Sequence, residues 1–186
     1  ISGTGVDTDH FNVRSYPEGN PVTFLFIARM LWDKGVGEFV EAARQIKFEF
    51  SDVRFQLLGF LDVSNRTAIS RRQMQIWTEQ GIIDYLGETD DVRSYISNAD
   101  CVVLPSYREG LPRTLLEAAS MGRPIIAADV TGCREVVDHG VNGYLCKAKD
   151  VSDLSEKMKD MIKLSIDERR EMGLRGRKKM EENFDE

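Results

Sequence analysis

Two cations, Arg29 and Lys34, stand five residues apart in the segment Arg29-Met-Leu-Trp-Asp-Lys34-Gly35-Val36-Gly37, directly after the apolar run Val22–Ala28. Positive charges flanking a strand-to-helix turn suit a small anion carrying more than one negative charge. Lys34 is expected in the first turn of the following helix, where the macrodipole disfavours a cation by about 0.3–1 kcal/mol. A bound diphosphate would reverse that local cost, because the cations and the helix N-terminus would then both attract it. Taken by itself the segment also fits a solvated surface pair.

A second constellation begins at Pro105 and includes Glu109-Gly110-Leu111-Pro112-Arg113-Thr114-Leu115-Leu116-Glu117. Pro112 suits the first position of a helix, where its missing N–H costs nothing. Glu109 is then in the loop ahead of the helix and Glu117 in its second turn, facing a pocket if Leu115, Leu116 and Ala119 pack inward. A carboxylate only accepts hydrogen bonds and can take two at once, which suits the vicinal hydroxyls of a ribose or a hexose. The amides of Arg113 and Thr114 stand where a phosphate would be held.

Other chemistries are disfavoured. Neither G-x-G-x-x-G nor G-x-x-x-x-G-K-[ST] follows the first strand, which lowers the dehydrogenase and NTPase readings. A net charge of -6 over 186 residues argues against a nucleic-acid binder, which needs a basic face. Cys101, Cys133 and Cys146 are an odd number without C-x-x-C spacing, so no zinc site or disulfide framework is indicated, and a reduced, cytoplasmic setting fits. His10 and His139 are the only imidazoles, too few for a metal site, and the sequence calls for no metal or cofactor. No apolar stretch approaches a membrane span, and no signal peptide is expected. The chain opens on Ile1 rather than Met, so it is expected to be part of something longer.

The elements that must position these residues alternate. Strands are expected at Val22–Ala28, Val53–Leu58, Ile82–Leu86, Cys101–Leu104, Pro124–Ala128 and Gly143–Cys146. Helices are expected near 38–47, 70–80, 91–98 and 113–121, with a helical turn at 134–137 and two closing helices near 151–164 and 167–180. Such alternation implies a parallel sheet of about six strands covered on both faces, a Rossmann-like doubly wound α/β domain over residues 21–186. The polar, turn-rich residues 1–20 read as an interdomain linker. Ligands bind at the carboxyl ends of such strands, where both constellations fall.

Arg29…Lys34-Gly35, Glu109-Gly110-Leu111-Pro112-(x)4-Glu117-Ala-Ala, Gly122-x-Pro124-Ile-Ile-Ala, Gly132-Cys133-x-Glu135 and Gly140-Val-Asn142-Gly143 together resemble the retaining family 4 glycosyltransferases. The match runs from about Gly3 to Glu182, and the opening Gly3-Thr-Gly5-Val6-Asp7 resembles the segment leading into that family's donor domain. The resemblance implies one half of a two-domain GT-B enzyme, with an N-terminal acceptor domain of the same chain as its partner. It implies that Arg29 and Lys34 hold and stabilise the leaving diphosphate, and that Glu109 touches the transferred sugar beside the Gly110 and Leu111 amides. Thr114 and its backbone would cap a phosphate, Glu117 would bind the ribose hydroxyls, and the base would lie along Tyr85-Leu86-Gly87. Two positions depart from the family pattern. Pro112 stands where many members have Gly, and Phe60-Leu61 intervene where a second glycine often follows Gly59.

The stretch from Leu57 to Val92 is similar to bacterial members that build lipid-linked or capsular glycans from UDP-N-acetylhexosamines. The implied reaction is transfer from a UDP-sugar, a substrate rather than a cofactor, to a glycan or a membrane lipid-linked acceptor. The setting implied is cytoplasmic, peripheral to the inner face of the membrane through the acceptor domain. A nucleotide-sugar epimerase and a non-catalytic nucleotide-sugar-binding module are the alternatives. The Glu109–Glu117 element in its Gly-Leu-Pro setting argues against the first.

Overall fold

The computed structural model describes residues 4–186; Ile1 and Gly3, both named above, lie outside them. Six strands form one sheet in the order β3-β2-β1-β4-β5-β6, every pair parallel: β1 (Val22–Ile27), β2 (Val53–Leu58), β3 (Asp84–Tyr85), β4 (Cys101–Leu104), β5 (Ile125–Ala128) and β6 (Gly143–Cys146). This is the Rossmann-like arrangement that the alternation implied. Strand β3 is shorter than expected, because only Asp84 and Tyr85 pair with β2 before the chain leaves the edge.

Right-handed crossovers put α1 (Val36–Glu49) and α2 (Arg71–Glu79) on one face of the sheet. From β4 the order runs the other way, so α4 (Arg113–Ser120) and α5 (Thr131–Val136) cover the opposite face, reached through α3 (Arg93–Ser97). The closing helices complete the layers, α6 (Val151–Lys163) against α1 and α7 (Ile166–Asn183) against α4. Strands β1, β4 and β5 are buried along their whole length, as their unbroken apolar runs require of a sheet covered on both faces. Phe24 stacks on Phe55 at 5.5 Å, and Phe39 of α1 meets Phe55 edge-on at 5.9 Å. Helix α7 starts on a capping box, in which Ser165 and Glu168 satisfy each other's backbone N–H.

The first segment is more than a polar tether. Val6, Thr8 and Tyr16 are buried, and Val6 exchanges backbone hydrogen bonds with Phe184 and Glu186 at the other end of the chain. Arg123, 1% exposed, spreads its guanidinium over the carbonyls of Arg14, Ser15, Ile96, Ser97 and Met121 at 2.7–3.3 Å. Burial depresses its pKa to about 10, offset in part by Tyr16 and Asp100. A planar five-donor group can pin several loop carbonyls at once, and here it holds residues 14–15 to the sheet.

Candidate functional site

The strand order reverses between β1 and β4, and the loops leaving these two strands form the crevice where such folds take ligands. Gly35 locks the two loops together. It adopts φ +83°, and a Cβ there would lie 2.1 Å from the Pro105 carbonyl oxygen, so only glycine allows the backbones to touch. The Tyr107 amide adds a bond to the Asp33 carbonyl at 2.9 Å.

Lys34 does not lie in the first turn of α1, as expected from sequence. It ends a 3-10 turn, Trp32–Lys34, and Gly35 in its left-handed conformation separates that turn from the helix start at Val36. The consequence is geometric: its Nζ reaches across to Glu109 Oε1 at 2.7 Å, with side chains only 22% and 11% exposed. Arg29 is exposed and makes no ion pair among the described residues.

Pro112 is the N-cap of α4 rather than its first residue, with φ -74° and ψ 108°. The Arg113 and Thr114 amides, in the first turn, consequently have no acceptor among the described residues, and neither do those of Gly110 and Leu111 in the loop before it. The loop that carries them rests on Gly132 at the start of α5, where a Cβ would come within 1.7 Å of the Gly110 carbonyl oxygen and 2.5 Å of that of Glu109.

Two clefts flank this loop. One, of about 440 Å³, is bounded by Glu109, Arg108, Asp129, Val130, Thr131 and Arg134. The other, of about 450 Å³, is bounded by Glu117, Arg113, Asp90, Asp7, His10 and Phe11. Leu115, Leu116 and Ala119 are buried, which turns Glu117 toward this second cleft. Burial raises the Glu117 pKa, opposed by the nearby Arg113 cation. A larger cavity of about 530 Å³ opens at the amino ends of β1 and β2 against Arg169, and contains none of the residues singled out from sequence. The clefts beside α4 are the better candidates, since they flank the loop at the carboxyl end of β4 and are lined by Glu109, Arg113 and Glu117.

Arg29, Lys34, Glu109, Gly110, Leu111, Arg113, Thr114 and Glu117 thus all belong to the two adjoining loops and the helix that follows. Of these, Glu109 lines the first cleft and Arg113 and Glu117 the second; Arg29, Lys34, Gly110, Leu111 and Thr114 border neither, and nor do Tyr85, Leu86 and Gly87. The Tyr85 hydroxyl donates to the Gly59 carbonyl at 2.7 Å, and the Gly59 amide donates to the Gly87 carbonyl at 2.8 Å, so both groups are engaged in holding the β2 exit. The same β3–α3 loop contributes Asp90 to the Glu117 cleft. Sequence reasoning missed Asp7, His10 and Phe11. Asp7 Oδ1 accepts from the amides of Asp9 and His10 at 3.0 and 2.9 Å, a local turn for which Asp-x-Asp-His was the available signal. His139 lies elsewhere, exposed, its Nδ1 accepting from the Leu145 amide.

The fold is thus a doubly wound parallel sheet whose switch-point loops carry two cations, amides without acceptors and two carboxylates. Residues 8–179 match the family of glycosyl transferases group 1, and the chain belongs to that family. It is 39% identical over 134 residues to the N,N'-diacetylbacillosaminyl-diphospho-undecaprenol alpha-1,3-N-acetylgalactosaminyltransferase of Campylobacter jejuni, covering 72% of this chain and 34% of that enzyme. Among solved structures, sucrose-phosphate synthase of Thermosynechococcus elongatus superposes with a TM-score of 0.85 at 24% identity, over 97% of this chain and 47% of that one. HepE of Anabaena, solved in complex with UDP, gives 0.83 at 20%, over 97% and 52%. The chain therefore spans between a third and about half of the length of these proteins.

Proposed function

We propose that this domain holds the UDP-sugar donor of a retaining glycosyltransferase, an N-acetylhexosamine donor used on a glycan or lipid-linked acceptor. The observation that carries the reading is the Lys34–Glu109 pair at 2.7 Å, set beside four amides without acceptors at the start of α4. Cation and amides suit a diphosphate, and the two carboxylates on either side suit the hydroxyls of the sugar and the ribose. The Campylobacter relative, by its name an N-acetylgalactosaminyltransferase working on a diphospho-undecaprenol substrate, supports the sugar and acceptor classes. The Anabaena complex supports UDP.

In this reading Lys34 and Arg29 stabilise charge as the bond between the anomeric carbon and the β-phosphate oxygen breaks. The acceptor oxygen bonds to the same face of that carbon, and its proton passes to the departing phosphate. Glu109 orients the sugar and Glu117 the ribose. The acceptor is bound by a partner domain, at the inner membrane face when it is lipid-linked. No described helix is long and apolar enough to cross a membrane.

The test is calorimetry of UDP, GDP and ADP, followed by transfer assays on the whole protein with UDP-N-acetylhexosamines and UDP-hexoses. Preference for UDP and acceptor-dependent release of UDP are expected. Interconversion of the free nucleotide sugars without acceptor would instead identify an epimerase, and binding without any turnover a non-catalytic module.

A further inference from the structure

Lys34 and Glu109 meet only if the turn 29–35 and the loop 105–112 keep a fixed register. Backbone contact at Gly35 and the Tyr107–Asp33 bond supply part of it. Ser106 Oγ adds a longer bond to the Asp33 carbonyl at 3.4 Å, and two residues before Glu109 the Tyr107 hydroxyl supplies the closest side-chain tie, its single proton facing both carboxylate oxygens of Glu38 at 2.8 and 2.9 Å. Glu38 lies in the first turn of α1, four residues beyond Lys34. The Tyr107 ring also carries Lys149 Nζ 4.8 Å from its centroid, so the loop after β6 converges here too. Burial, and then Glu38, push the Tyr107 pKa up to about 12, so the hydroxyl remains a donor at neutral pH.

We infer that Tyr107 is a positioning residue for the transfer step: through Glu38 it fixes the loop bearing Glu109 against the turn bearing Lys34. The inference rests on the donor reading above. A displacement of about 1 Å at a reacting centre can cost on the order of a hundredfold in rate, so a hydrogen bond away from the donor can matter for turnover. A ring that merely filled space would serve as well without its oxygen.

The experiment compares Tyr107→Phe, Glu38→Ala and Glu38→Gln in the whole protein, measuring kcat, donor KM and UDP affinity. Phenylalanine keeps the ring, its packing and the Lys149 contact. Tyr107→Phe and Glu38→Ala should lower kcat by about 10- to 100-fold, while UDP affinity changes by less than about threefold. Glu38→Gln, whose amide oxygen still accepts from the hydroxyl, should recover most of the rate. Intact UDP binding with kcat unchanged in Tyr107→Phe, or a Gln variant as poor as the Ala variant, overturns the assignment of Tyr107. A wild-type protein that does not bind UDP overturns the donor reading, and this inference with it.

Discussion

Lys34 Nζ lies 2.7 Å from Glu109 Oε1, joining two loops that are 75 residues apart in the chain. Both side chains are largely withdrawn from water, so removing either leaves the other partly buried without its partner, a costlier change than losing a surface pair. On the proposed reading a diphosphate competes with Glu109 for this cation. Donor binding would thereby release the carboxylate for a sugar hydroxyl.

Replacing Lys34 or Arg29 by Ala should weaken UDP far more than uridine. A hydrogen bond to a charged group is worth about 1.5–3 kcal/mol, or roughly 10- to 100-fold in affinity. Lys34→Ala should also lower thermal stability, because it unpairs Glu109, whereas Arg29→Ala, exposed and unpaired, should leave stability nearly unchanged. Calorimetry with both ligands decides; equal losses for UDP and uridine would contradict a diphosphate role.

Glu117 should make uridine binding depend on pH. Its folded-state pKa is raised above the ordinary 4.5 by burial, so the folded form holds the proton more tightly than the unfolded chain does. Its contribution to stability is then full below 4.5 and is lost as pH rises through the raised value. Ribose hydroxyls donate to the ionised carboxylate, so uridine affinity should climb with pH across the same interval. Glu117→Gln should flatten both trends. Asp7, His10, Asp90, Arg113 and Glu186 share the cleft and are present in both proteins, so the comparison of wild type with Glu117→Gln is the one that reports on Glu117. Wild-type protein should prefer uridine to 2′-deoxyuridine, and equal binding of the two would remove the assignment.

Gly132→Ala and Gly110→Ala should separate folding from binding. The first places a methyl 1.7 Å from the Gly110 carbonyl oxygen, which must displace the loop carrying Glu109. A cost of about 1–3 kcal/mol in stability is expected, with donor affinity falling too. At Gly110 a Cβ meets nothing within 4 Å, so stability should hold while the added methyl crowds the amides proposed for the donor. Thermal unfolding and UDP-sugar titration of the two variants check this. An unchanged melting temperature in Gly132→Ala would mean the loop yields freely.

The features legible in the sequence are those that depend on local residue pattern. The run Val22–Ala28, too apolar for an edge, marked β1, and Pro112 with two carboxylates eight residues apart marked the start of α4 and its cleft. The 3-10 turn before α1 was not legible, because Gly35 takes its left-handed conformation to let Pro105 approach, a contact 70 residues away in the chain. The docking of residues 4–20 was equally hidden. It depends in large part on Arg123 and Arg177, whose partners in this segment are the backbone carbonyls of Thr8, Phe11, Arg14 and Ser15, and carbonyls leave no signature in sequence. Tyr107 and Glu38 are ordinary surface types until the fold sets them 2.8 Å apart.

Residues 1–186 by themselves should bind the donor and transfer no sugar. The chain spans about half of the structurally similar enzymes, and the residues proposed for the donor all lie within it. The diphosphate and ribose contacts proposed above involve Arg29, Lys34, the amides at the start of α4 and Glu117, all of them within these residues. Alignment of an acceptor with the anomeric carbon has no such source here, and holding reactants in line can supply about 7–11 kcal/mol of barrier reduction. UDP affinity should therefore stay close to that of the whole protein, while turnover falls to slow hydrolysis by water at the open cleft. A labelled-sugar transfer assay on the two proteins side by side, with calorimetry of UDP on each, makes the comparison. Transfer by residues 1–186 at a rate near that of the whole protein would show that the reacting centre is complete within this fold.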